Sequence, residues 1–480
     1  MIALPGETVS LLAFAYVIGL VMLMTAGIYD GPLAEPSLLL VVACFAVLCV
    51  LGARLLLGRP RVVVGARPWL ALLPIALAVY AVAVFADARL LVHGERPPRL
   101  IHAIELVQIG LLATYVPAAV RGRHEAPPWA GLRFACFASL FVAGGISVLY
   151  LSPHPDVDVW QLQTEAAKAL LRGQNPYELS NVHVPEQAVD GLPPMAFMYP
   201  PTPCYVNAIA YALGRDVRWG LLAALLVTGI AMRQLARARG SGSQHVFPAL
   251  VEDAPALLLW MTPKVYFFLE SAWNDAYPLA FVTLALLAHA RRRRYASAFF
   301  LGLTWSAKQS MIWLLPLGTL LGFSLGQWAL ALGTAAATMV PFALWDFHAL
   351  KYWTFDKFFG YGPRWSALSP MNWLTRHFGI SQGKAPPGIL LAALWSLAGA
   401  WRAPRTRYAF AVVAALSCFS FYLFNRFTWM NYYFFVAGVA SLAAAASLAE
   451  PFQPRATGDV EGNGELSVRS PPALEVDHEP

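Results

Sequence analysis

The 480-residue chain is 58% hydrophobic and only 13% charged, about half the ~25% charge of an ordinary soluble domain. That balance excludes a soluble globular fold, and repeated apolar runs near the ~20 residues that cross a bilayer read as an all-α, polytopic integral membrane protein. Thirty-four Lys and Arg against 27 Asp and Glu leave a net charge of +7, which in such a chain encodes orientation through basic loops rather than nucleic-acid binding.

Apolar runs fall at 8–28, 37–57, 68–87, 101–120 and 133–151. The first lacks a basic leading region and continues into a second span, so no cleaved signal is expected. Arg59, Arg61 and Arg67 follow the second run, and Arg121, Arg123 and Arg133 follow the fourth. Both loops read as cytoplasmic. The N-terminus then lies inside and residues 152–200 form a large outer loop. The run at 202–213 is too short to span and reads as re-entrant or interfacial. The next, 216–236, ends in "RQLARARG", and the pair 248–269 and 276–290 ends in "RRRR" at 291–294. Further spans are expected at 295–307, 311–326, 327–345, 388–401, 407–424 and 432–449. The sum is about 14 crossings with both termini cytoplasmic, a second outer loop at 346–387, and a disordered acidic tail at 451–480. Cys44, Cys49, Cys136 and Cys418 lie in apolar runs and no CxxC pair exists, so neither a disulfide framework nor a zinc site is expected.

The chemistry concentrates in "PDVDVWQLQTEAAKALLRGQNPYE" at 155–178. Asp156 and Asp158 stand just past an apolar span, ahead of a helix expected from about Val159 to Leu171 that closes on Gly173. A carboxylate in a partly dry site above the membrane suits a general base. The competing reading makes these residues solvated loop carboxylates or a helix cap. With His154 and His183 nearby, two carboxylates and a histidine remain a weak ligand set, so no metal is expected. No Gly-rich phosphate loop or βαβ stretch marks a nucleotide domain, and no cofactor is expected.

The order "DVW…ALLRGQNPY", "MYPP" at 198–201, "GRDVRW" at 214–219 and "LGLTWSAKQSMIWLLPL" at 301–317 resembles glycosyltransferase family 87. These are polyprenyl-phosphate-sugar-dependent membrane enzymes, commonly mannosyltransferases, of the C-type glycosyltransferase superfold. The resemblance covers roughly 133–450, leaving 1–132 as a four-helix N-terminal segment. It implies transfer of a sugar, most commonly mannose, from a polyprenyl-phosphate lipid to a hydroxyl of a glycolipid or glycan acceptor, with inversion, at the extracytoplasmic face of a bacterial plasma membrane. Spacing within the family's pattern favours Asp158 as the base, with Asp156 orienting it or contacting a sugar hydroxyl. It also places Tyr177 and Tyr199 at the substrate site. A cation for the donor phosphate is expected at Lys308, supplemented by Arg364 or Arg426. Asn274 and Asp275 are candidates to contact acceptor hydroxyls, with a polar turn joining two helices as the competing reading. Trp353, Trp365 and Trp373 are candidates to stack on sugar rings, with an aromatic belt at the interface as the competing reading. The alternative is a transporter or flippase of a lipid-linked glycan, which would favour charges deep within several spans.

Overall fold

The computed structural model describes residues 3–25, 34–59, 63–65, 79, 99–115, 117, 127–155, 157–179, 195–238, 249–262, 264–357, 367–380, 387–425 and 428–450. The expected run at 68–87 apart from Val79, the tail at 451–480, and Asp156, His183, Arg364, Trp365 and Arg426 lie outside the described residues. The described chain is helical apart from a two-stranded antiparallel ribbon pairing Ala3–Pro5 with Val63–Gly65.

The N-terminal helices are α1 (Gly6–Thr25), α2 (Ala34–Leu56), α3 (Arg99–Ala113) and α4 (Pro127–Leu151). Next come α5 (Asp158–Leu171), α6 (Pro201–Gly214) and α7 (Arg218–Arg237). They are followed by α8 (Ala249–Trp260), α9 (Val265–Glu270), α10 (Ala276–Ala290) and α11 (Arg294–Trp305). After two 3-10 segments, Gln309–Leu314 and Pro316–Leu321, the chain continues through α12 (Leu325–Lys351) and α13 (Pro370–Phe378). It ends in α14 (Pro387–Arg402), α15 (Arg407–Leu423) and α16 (Met430–Ala449). Among the described residues, five helices are long and apolar enough to cross a membrane, and four shorter apolar helices accompany them. The protein is a polytopic, all-α membrane protein.

Two expected spans take other forms. The run 248–269 breaks into α8 and α9, with Lys264 left-handed at φ 68°. The sequence at the break is Thr262-Pro263-Lys264, and proline brings no N–H to continue a helix. The run 311–326 is 3-10 rather than α, split at Pro316 for the same reason. It still traverses the bundle beside α10. Lys308 pairs with Asp275 at the start of α10, and the Leu321 carbonyl lies 2.9 Å from Nε2 of His289 at its end. A 3-10 rise of ~2.0 Å per residue lets this short stretch keep pace with an α-helix rising only ~1.5 Å.

The centre of the bundle is α16, which is buried along almost its whole length. Its C-terminal half, "ASLAAAASLA", is built of small residues that let neighbouring backbones approach. Thr8 of α1 and Ser447 of α16 share a 2.5 Å hydrogen bond inside this core. One buried apolar cluster runs from Leu11 in α1 to Ala449 in α16 and includes Leu48 of α2. By contrast, α12 is largely unburied, and Leu325, Leu344, Trp345 and Phe347 are exposed. A lipid-facing helix has this character, since hydrocarbon accepts what water would expel.

The helix ends sort into two groups. One end gathers Glu7, Arg54, Ala238, His289, Arg294, Arg402, Arg407 and Glu450 around a single cavity, and is called the arginine end below. The opposite end carries α5, the start of α10, the turn at 306–308 and α13.

Candidate active site

At the end opposite the arginines, α5 is fixed at both termini by local chemistry. Asp158 is its first residue, half-buried, and one carboxylate oxygen accepts the Val159 N–H at 2.7 Å. Its negative charge therefore lies where the helix dipole favours it. At the other terminus the Gln174 N–H reaches the Ala169 carbonyl at 2.9 Å and the Gly173 N–H reaches Leu170 at 3.1 Å. Gly173 takes φ +70° to close this paired helix stop, a conformation that costs glycine nothing. The Asn175 carboxamide oxygen then accepts the Tyr177 N–H at 3.1 Å, turning the chain inward.

Tyr177 is buried, and its hydroxyl donates to the Tyr199 carbonyl at 2.7 Å. Its ring meets Phe197 and Phe342 edge-on. Burial pushes its phenol well above the usual value, so it stays neutral. The two tyrosines expected at the substrate site are brought together. Tyr177 acts there as a latch between the G-x-x-P-Y turn and the segment leading into α6.

A polar relay ties α5 to the helices behind it. The Tyr277 hydroxyl donates to Asn207 Oδ1 at 2.5 Å, Asn207 Nδ2 donates to Gln163 Oε1 at 2.6 Å, and Gln163 Nε2 donates to the Ala272 carbonyl. All three side chains are buried. The relay sets the helix of Asp158 against 272–277, the stretch that carries Asn274 and Asp275.

Asp275 is the hub of a second cluster. One of its oxygens accepts from Lys308 Nζ, and the other accepts from Asn431 Nδ2 at 2.7 Å. Lys308 is 4% exposed, with Nζ 4.2 Å from the centre of the Tyr432 ring. Tyr432 stacks on Tyr422, whose hydroxyl shares a 2.6 Å hydrogen bond with Ser310. Burial pulls the Lys308 ammonium below its ordinary value, against the opposing pull of the Asp275 carboxylate. The structure thus joins Lys308 and Asp275, expected on donor and acceptor respectively, into one neutralised pair. Asn274 is buried beside them, and its Nδ2 has no hydrogen-bond partner among the described residues. Orphaned buried donors are rare enough to count as candidate ligand contacts.

Sequence reasoning quoted Asp216 and Arg218 within "GRDVRW" but gave neither a role. Arg218 is fully buried, bound through Nε and one terminal nitrogen to the Asp216 carboxylate at 2.6–3.0 Å. Its guanidinium lies 5.8 Å from the ring of Trp160, two residues into α5 from Asp158. Its other terminal nitrogen has no partner among the described residues. The available signal was an arginine opening an apolar span, which is expensive unless used.

Asp216 also lines a groove of about 1040 Å³ that descends between α4, α6, α7 and α10. Tyr150, His154, Arg215 and Asp216 stand at its head, while Val227 and Leu284 lie deep along it. An apolar trough with charge only at the mouth has the layout of a site for a lipid with a polar head. Trp353, on the helical turn that continues α12 and not in a loop as expected, packs beneath α5, while Trp373 stacks on His377 at 4.6 Å. Among the described residues no three His, Cys, Asp or Glu side chains gather as a metal site.

No protein-family model matches the chain, and no curated protein matches it. Among solved structures the chain is similar to the crystal structure of ArnT from Cupriavidus metallidurans bound to undecaprenyl phosphate, at 18% identity and a TM-score of 0.40. The likeness covers 65% of this chain and 60% of that one, so the chain spans less than two thirds of that structure's length.

Proposed function

We propose that the protein is a C-type membrane glycosyltransferase, similar to family 87, working on the extracytoplasmic face with its arginine end in the cytoplasm. It moves a hexose, most commonly mannose in that family, from a polyprenyl-phosphate carrier to a hydroxyl of a glycolipid or glycan acceptor. One observation carries this reading: an apolar groove headed by Arg215 and Asp216, with Asp216 bound in turn to Arg218, which lies beside Trp160 in the helix that Asp158 opens.

The chemistry follows from that arrangement. The carrier's isoprenoid chain lies in the groove, and its phosphate meets Arg215, whose donors suit phosphate oxygens, while the buried Arg218 holds the Asp216 carboxylate at the groove's head. Asp158 takes the proton of the acceptor hydroxyl as that oxygen attacks the anomeric carbon. The bond from anomeric carbon to phosphate oxygen breaks with its electron pair on the phosphate, and polyprenyl phosphate leaves. Displacement from the opposite face inverts the anomeric centre. The Asn274 carboxamide and the Tyr277–Asn207–Gln163 relay hold the acceptor side of the site in register with α5. Asp156 remains the second carboxylate of this proposal, orienting Asp158 or touching a sugar hydroxyl. Arg364 and Arg426 remain supplementary cations, and Lys308 serves as the partner of Asp275.

The test is sugar transfer by purified protein in nanodiscs, given radiolabelled polyprenyl-phosphate mannose and a lipid extract as acceptor. Asp158→Asn should cut transfer by about 10²–10⁴, the range removed with a general base. Full activity in the variant would move the base elsewhere. No product from wild type with mannose, glucose or arabinose carriers would end the transferase reading.

A further inference from the structure

The arginine end holds a second cavity, of about 900 Å³, far from the groove. Its arginines come from separate parts of the chain. Arg54 and Arg59 lie at the end of α2, Arg292 and Arg294 at the turn from α10 into α11, and Arg402, Arg405 and Arg407 between α14 and α15. Against these seven, Glu7 and Glu450 are the acidic residues lining it, which leaves five positive charges facing one space.

Loop arginines at a membrane surface ordinarily point apart into water, where each is solvated and their repulsion is screened. Here the backbone draws them together. Arg292 is held at φ 60°, a left-handed conformation that costs a side-chain-bearing residue ~1 kcal/mol or more. In the turn that carries it, the Arg292 N–H reaches the His289 carbonyl at 3.0 Å and the Arg293 N–H reaches Ala288 at 2.8 Å. Glu450 is committed locally: its carboxylate accepts the Tyr408 N–H at 2.9 Å, at the start of α15. His289 lines the same cavity. Its Nε2 lies 2.9 Å from the Leu321 carbonyl, which can only accept, so Nε2 carries a hydrogen. Its Nδ1 is buried with no partner among the described residues. The walls are also partly apolar, through Leu51, Leu55 and Tyr408.

We propose that this cavity binds the phosphate headgroup of an anionic phospholipid from the leaflet at the arginine end. Converging guanidiniums supply charge and paired donors for phosphate oxygens, and Leu51 and Leu55 supply a wall for the first carbons of the acyl chains. Basic pockets between membrane helices at the cytoplasmic side, where anionic lipids concentrate, have this chemistry. The inference is independent of the sugar-transfer reaction. It couples six helices, α1, α2, α10, α11, α14 and α15, through one ligand.

The experiment uses full-length protein purified from nanodiscs of phosphatidylcholine alone or with cardiolipin, with retained lipid counted by native mass spectrometry. Cardiolipin should be retained at least tenfold over phosphatidylcholine. The pair Arg292→Gln and Arg405→Gln should remove that preference, while Arg376→Gln at the opposite end keeps it. Equal retention of both lipids by wild type, or undiminished preference in the paired variant, would overturn the proposal. In a parallel arm inorganic pyrophosphate is titrated into wild type in neutral lipid. Thermal stabilisation by pyrophosphate that cardiolipin does not match would assign the cavity to a soluble phosphate compound and overturn the lipid assignment. Should the paired variant fail to fold, wild type alone still decides: cardiolipin must raise the unfolding temperature, and about 0.5 M NaCl must abolish most of that rise.

Discussion

Removing Lys308 leaves the Asp275 carboxylate in a buried site with the Asn431 carboxamide still donating to it. Breaking a buried pair from one side costs about 3–5 kcal/mol, because the surviving charge keeps its desolvation penalty. Lys308→Met should therefore unfold at markedly lower temperature in detergent, and Lys308→Met with Asp275→Leu should cost less than Lys308→Met alone. Equal losses in both would mean the pair is not a unit. Tyr177→Phe deletes only the hydroxyl that donates to Tyr199. The expected loss is about 1 kcal/mol of stability, with turnover changed less than tenfold, since the hydroxyl is spent on the backbone. A much larger drop in turnover at unchanged stability would show the phenol touching substrate. These pairings were illegible in the sequence for a simple reason. Lys308 and Asp275 are 33 residues apart, and Arg218 and Trp160 are 58 apart, on different helices, so no local pattern marks either partner.

At the scale of elements, the groove makes a sharper demand. Ala223 on α7 is exposed and lines it. Ala223→Trp should narrow the trough without disturbing the core. We expect KM for a full-length polyprenyl carrier to rise about tenfold, the scale of losing one or two buried isoprenoid contacts, while a two-isoprene carrier reacts as before. Identical kinetics for both carriers would place the chain elsewhere. Elements whose cues are local were legible from the sequence: α5 begins one residue from its expected start and stops at Gly173. Elements decided by packing were not. The 3-10 path of 309–321 depends on lying beside α10, and Pro316 only shows that an α-helix cannot pass unbroken. The break at 261–264 likewise carried a proline signal that hydropathy alone overrode.

The charged loops were legible at the largest scale. Arg59, Arg292 and Arg294, read along the chain as markers of one membrane face, line one cavity, although their convergence on it follows only from the order in which helices pack. Orientation can be checked with a membrane-impermeant maleimide on cells. Arg172→Cys, exposed just after α5, should label in intact cells, and Arg292→Cys only after permeabilisation. The reverse pattern would invert the topology and move the groove's charged head into the cytoplasm.

The burial of α16 has a consequence for how the protein is made. The helix around which the others pack is the last one described in the chain. Synthesis proceeds from the N-terminus at ~5–20 residues per second, so every earlier helix enters the bilayer before its central partner exists. Through that interval α1, α10 and α15 present to lipid or to the insertion machinery the faces they later give to α16. A ribosome halted before residue 430 would leave a ring without its axle, a natural target for membrane proteolysis, and the final twenty residues of helix become the step that commits the whole chain to its native arrangement.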